Sequence, residues 1–159
     1  LIVAQKSTTT AAQMSKALEL KEASLSIEKE LYMAAVSLIE ARYPSGFGGA
    51  AAMKTESGKV ITSVAPETKN DALSLCMEVG ACLEAHKLNE AITHSVCVCR
   101  EYEHSEYLIL TPCGICQERL VHWGGNVQVA VSTPENKLLF KSLRELMPYH
   151  WSIVNGERL

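Results

Sequence analysis

Two short runs constrain this chain more than any other feature: Cys76-Met77-Glu78, and further on Pro112-Cys113-Gly114-Ile115-Cys116. Zinc takes soft anionic or imidazole ligands in a tetrahedron, and a catalytic zinc keeps one position open for water. Cys76, Cys113 and Cys116 supply three thiolates for such a site. Glu78 stands two residues from the first of them, within reach of protons moving between a water and a substrate nitrogen. A C-x-x-C alone fits a structural half-site or a redox pair equally well, and a C-x-E alone means little. The two together, in this order and with Pro before the second, point to a catalytic zinc centre. The competing reading is a purely structural metal site, which needs a fourth protein ligand, and His86 or His122 could serve.

The chain can build one such centre and little else. Its 159 residues suit a single domain. Apolar residues make up 47% and charged residues 21%, an ordinary balance for a globular protein. The net charge is −3, with no extended run of Lys or Arg. That disfavours a nucleic-acid polymer, whose phosphates call for clustered cations, and favours a small uncharged substrate. No apolar run approaches the ~20 residues of a membrane span. Leu1-Ile2-Val3-Ala4 is too short for a secretory core and has no basic region before it. Of six cysteines, the C-x-C at Cys97 and Cys99 and the C-x-x-C at Cys113 and Cys116 favour thiols or metal over disulfides, and so a cytoplasmic setting.

Residues 1–23, rich in Thr, Ala, Ser and Gln, read as an N-terminal arm or as an extension of the helix that follows. Over 24–41, Ile27, Leu31, Ala34, Ala35, Leu38 and Ile39 form the stripe of an amphipathic helix, ended by Pro44 and the glycines after it. Apolar runs at 50–53 and 60–64 flank a Gly-containing loop and predict a hairpin. A helix is expected over 72–86, carrying Cys76 and Glu78 in its first turns. Strands are expected at 91–99 and 107–110, a helix at 114–123, a strand at 127–131 and a short helix at 141–147. The order is α-β-β-α-β-β-α-β-α, with residues 24–159 as one domain whose helices cover both faces of a mixed sheet.

The chemistry explains the placement. A thiolate binds zinc, and a helix N-terminus favours a thiolate through its partial positive charge and free N–H groups. Zinc held in this way acidifies water, and a nearby carboxylate can shuttle protons to a ring nitrogen and then to a leaving amine. Three thiolates and one zinc sum to −1, so a neighbouring donor should offset the excess. Cys82, Cys97 and Cys99 read as small buried residues, Glu101 and Glu103 as parts of a solvated turn, and Lys29, Lys54 and Lys59 as surface charge.

With these motifs in this order, residues 27–151 resemble the small zinc-dependent cytidine deaminases, in the form with cysteine in the first motif, and their relatives the blasticidin-S deaminases. The resemblance implies a three-layer α-β-α fold on a five-stranded mixed sheet, and a homotetramer whose sites are completed across subunit contacts. It also implies hydrolytic deamination of cytidine or deoxycytidine to the uracil nucleoside and ammonia. By the same resemblance Phe47, in Ser45-Gly46-Phe47-Gly48-Gly49-Ala50-Ala51, packs on the base. Thr111, before Pro-Cys, offers its carbonyl to the exocyclic amine. Trp151, in Leu146-Met147-Pro148-Tyr149-His150-Trp151, closes the pocket. Glu67 holds the sugar.

The departures fall around the sugar and the thiolates. The family's Asn-x-Glu is Ala65-Pro66-Glu67 here, and Lys69 and Asp71 replace an Ala and a Tyr. The Arg after the catalytic Glu is Val79, and the Arg after the second motif is Gln117. Two alternatives follow: deamination of a modified cytosine nucleoside (N4-substituted or blasticidin-like), and a non-catalytic binding protein that keeps zinc for stability. The intact Glu78 argues against the second.

Overall fold

The computed structural model describes residues 11–156 and residue 159. Helix α1 (Ala11–Arg42) begins well before the apolar stripe does. Its C-terminal half is held by tertiary packing, with Leu31, Ala35 and Ile39 fully buried; each such Leu or Ile contributes about 1.5–3 kcal/mol on burial. Its first turns leave Met14, Leu18 and Leu20 exposed, so strong helix formers, not a core, carry the helix back to Ala11. Residues 1–10, the start of the segment read as an arm or extension, lie outside the described residues.

Strands β1 (Gly48–Thr55), β2 (Val60–Ser63), β3 (Ile92–Arg100), β4 (Leu108–Leu110), β5 (Gln128–Ala130) and β6 (Phe140–Ser142) form one sheet. Its order is β2-β1-β3-β5-β6, with β4 also paired to β3. β1 is antiparallel to β2 and to β3, while β5 runs parallel to β3. β4 pairs with Cys97 to Cys99 and β5 with His94 and Ser95, so the two share one edge of β3. The sheet therefore has six strands, not the expected five. The missed strand, Phe140-Lys141-Ser142, is a half-buried edge element. Three residues with Lys in the middle carry no alternation long enough to read, and the sequence assigned its last two to a helix.

Period-2 alternation divides the core between the two faces. Ala50, Ala52, Val96 and Val98 meet Leu31, Ala35 and Ile39 of α1 on one side. On the other, Met53 and Ile61 pack with residues of α2 (Val79–Leu88), α3 (Gly114–Leu120) and α4 (Leu143–Leu146). Among the described residues no helix is long and apolar enough to cross a membrane.

Two joints fix the edges of this arrangement. Arg100, buried at the end of β3, donates through its guanidinium to the carbonyl of Tyr43 just past α1 and approaches the Tyr107 hydroxyl at 3.5 Å. A cation at a helix C-terminus is favourable, and this one ties α1 to the strand beside Gly48. At the other edge Ser142 and Glu145 form a capping box on α4. Lys141 and the Ser142 N–H and hydroxyl hold the Glu145 carboxyl down at about 2, against 4.5 for the free group. A depressed carboxyl stabilises the fold above its unfolded-state value and loses that effect as pH falls toward the folded value. Glu145→Gln should therefore flatten the acid limb of a stability profile between about pH 4.5 and 2. An acid limb in the variant as steep as the wild-type one would contradict this.

Candidate active site

The first site segment does not lie in a helix. The sequence suggests a helix from residue 72, but α2 starts at Val79. Asn70 instead caps a single 3-10 turn at Asp71–Leu73, accepting from the Ala72 N–H, and Ser74 then turns extended. Residues 72 to 75 bury no face, so helix propensity there has nothing to pack against. Cys76 consequently sits in the loop that enters α2, and Glu78 is the N-cap residue. Glu78 makes no side-chain cap hydrogen bond and is only 4% exposed. Cys113 is the N-cap residue of α3, and Cys116 lies in its first turn, fully buried.

The fold brings the three cysteines together. Their sulfurs lie within 4.8 Å of one another, the one such cluster of metal-ligating side chains among the described residues. Cys76 Sγ and Cys113 Sγ are 3.2 Å apart. The donor set fits zinc: bonds of about 2.3 Å in a tetrahedron place the sulfurs roughly 3.8 Å apart, within that envelope. His86 and His122 do not join the cluster. Their rings meet each other, tilted, at 4.7 Å and pack against Trp123 outside the cysteine cluster, which removes them as the fourth ligand of a closed structural site.

Electrostatics distinguishes the thiols. Burial works against ionising Cys113, but the N–H groups of Cys116 and Ile115, with the neighbouring thiols, bring it below the ordinary thiol value. Cys116 is pushed far up by burial, then by the charge of Glu78. Metal binding has to displace these protons. Among the described residues no arginine hydrogen-bonds to the three thiols to offset their charge. Val79 is buried in the helix, and Gln117 donates from its side-chain amide to the Pro112 carbonyl at 2.7 Å. The backbone N–H groups at the start of α3 act in place of the missing cations.

The cluster opens into a cleft of about 160 Å³ lined by Cys76, Met77, Glu78, Cys97, Leu110, Thr111 and Cys113. A larger cavity, about 520 Å³, lies among Arg144, Met147, Pro148, Ile153 and Leu159. It holds no metal-ligating or acid–base side chain, so size does not identify the site here. Thr111 is in the cleft as expected. Its N–H and hydroxyl are tied to Ser132, and no hydrogen bond to its carbonyl is found among the described residues. Three other expected contacts do not line the cleft. Phe47 stands 60% exposed at the foot of β1. Glu67 is paired with Arg42 at 2.8 Å. Trp151, 65% exposed, donates its indole N–H to Glu118, which also meets His150. Met77, Cys97 and Ser132 were given no role from sequence. Met77 sits inside the C-x-E motif, which was the available signal; Cys97 and Ser132 carry none.

Three thiols converging beside a buried carboxylate, at the base of a cleft on a mixed α/β sheet, define the class: a metal site equipped for proton transfer. Comparison with known proteins narrows it. No protein-family model and no curated protein matches the chain. Among solved structures, the cytidine deaminase from Bacillus anthracis is 52% identical, covers 82% of this chain and 93% of its own, and superposes with a TM-score of 0.80. The chain belongs to the cytidine deaminase family. The cytidine deaminases from Mycobacterium leprae (22% identical, 76% of this chain and 96% of that one, TM-score 0.59) and Burkholderia pseudomallei (23%, with the same coverage and TM-score) share the fold.

Proposed function

We propose that this protein hydrolyses a cytosine nucleoside, cytidine or deoxycytidine, to the uracil nucleoside and ammonia. The observation that carries the reading is the gathering of Cys76, Cys113 and Cys116 beside the buried Glu78, in a chain 52% identical to a cytidine deaminase. Cys76, Cys113 and Cys116 would hold zinc as thiolates, and the metal would supply Lewis acidity and an acidic water. Glu78 carries one proton of the attacking water to the ring nitrogen as the C–O bond forms, then carries the second proton of that oxygen to the amine as the C–N bond breaks and ammonia leaves. The Thr111 carbonyl accepts an N–H of the amine and orients it. The low polarity of the cleft strengthens each of these interactions.

A cleft of about 160 Å³ is smaller than the ~300–1,000 Å³ of typical ligand sites. Phe47, Leu75, Ile115 and Trp151 stand exposed. Exposed apolar groups of this kind mark contact surfaces, and we read the working form as a homotetramer, at least a dimer, in which Phe47 and Trp151 stack on the base across the contact. Glu67 leaves Arg42 to hold the sugar. An acidic chain with six free cysteines suits a cytoplasmic enzyme acting on free nucleosides.

A second reading rests on the loop. Ala65 cannot donate to the sugar, and Glu67 is occupied by Arg42, which suits a modified cytosine nucleoside. Formation of the uracil product, with ammonia released from cytidine, deoxycytidine and blasticidin S and methylamine from N4-methylcytidine, separates the two. Turnover of the first pair supports the principal reading. Turnover of the last pair alone replaces it with the second, and silence on all four overturns both.

A further inference from the structure

Met77, between the ligand Cys76 and Glu78, is held at both ends by the sheet. Ser63 at the end of β2 donates its hydroxyl to the Met77 carbonyl at 2.5 Å. Gly80 allows that approach, since a Cβ there would stand 2.8 Å from Ser63 Cβ. The thioether lies on β1, where a methyl group at Gly49 would stand 2.4 Å from Met77 Cε and 2.6 Å from Sδ. Cys97 Sγ of β3, on the same face of the sheet, lies 3.6 Å from Sδ. The side chain thus fills the space a residue with a Cβ at position 49 would occupy, and it lines the cleft.

We infer that Met77 is a specificity-determining residue: seated on Gly49, its side chain forms the wall that sets how large a pyrimidine ring, with its substituents, the cleft admits. The inference rests on the deaminase reading. Gly49 has no positive φ, so an alanine there clashes only with the methionine, Cys99 Cβ standing at an ordinary 3.5 Å. Resting on Gly49 and beside Cys97, the thioether borders the cleft. Methionine is unbranched and adaptable, so it yields without disturbing the backbone.

The test is a size-complementation cycle with kcat and KM measured separately. Gly49→Ala should raise KM for cytidine about tenfold with kcat within threefold and one zinc per chain retained. Met77→Ala should raise kcat/KM for 5-methylcytidine or N4-methylcytidine, relative to cytidine, about tenfold. Gly49→Ala/Met77→Ala should return KM for cytidine to within threefold of wild type. A merely structural role predicts loss of thermal stability or of kcat in Gly49→Ala without rescue, and that result overturns the inference, as does an unchanged KM. Absence of turnover by the wild-type enzyme overturns the deaminase reading and this one with it.

Discussion

Glu78→Gln is expected to lower kcat/KM by about 10²–10⁴-fold, the range set by general acid–base catalysis, with zinc content and thermal unfolding near wild type. The separation of effects follows from the position of the side chain. Glu78 opens α2 as its N-cap but makes no side-chain hydrogen bond to the helix, so its loss removes no cap. Glutamine has the same shape, leaves no cavity at this buried position, and does not alter the three thiols. What it cannot do is accept and return a proton. Steady-state kinetics, metal analysis and a melting curve on one preparation check all three parts. Retained activity would remove Glu78 from the chemistry, and loss of zinc or of fold would make its role structural.

Cys116→Ala is expected to have the second large effect, on metal binding. Cys116 is the innermost of the three sulfurs, fully buried in the first turn of α3, whereas Cys113 is exposed at the helix start. Losing an orienting contact around a metal costs roughly 10–100-fold in affinity; losing one of three protein ligands should exceed that, and dialysed Cys116→Ala should carry less than a tenth of the wild-type zinc. Ligand bound only to the native state stabilises it by about 2.7 kcal/mol at 100 times its dissociation constant. Added zinc should therefore raise the wild-type melting temperature and leave that of the variant unchanged. Cys82→Ala, which removes a buried thiol of the core away from the cluster, is the control and should keep its zinc. Equal zinc in Cys116→Ala and wild type would contradict the assigned ligand set.

The two zinc motifs were legible because their spacing is chemical: soft ligands, a proline and a carboxylate in a fixed order leave few alternatives. Five of the six strands and the four helices, apart from the start of α2, were legible from periodicity and turn residues. Other features were not, each for a physical reason. Helix α2 starts late because Asn70 captures the Ala72 N–H and closes a separate turn first. β6 is three residues long and takes its meaning from pairing with β5. Gln117 could be recognised as a replacement for an arginine, but that its amide donates to the Pro112 carbonyl is a fact of the fold. The seat of Met77 on Gly49 joins residues on different elements, and no local pattern carries it. The positions expected for Phe47, Glu67 and Trp151 derive from resemblance, and in one chain those side chains stand outside the cleft.

The most direct measurement is incubation of the zinc-loaded protein with cytidine in ¹⁸O-labelled water, with the product weighed by mass spectrometry and ammonia counted in parallel. Hydrolytic deamination at this site predicts uridine carrying one ¹⁸O and one ammonia per uridine, both absent with Glu78→Gln. Cytidine recovered unchanged, or uridine formed without the label, would contradict the account.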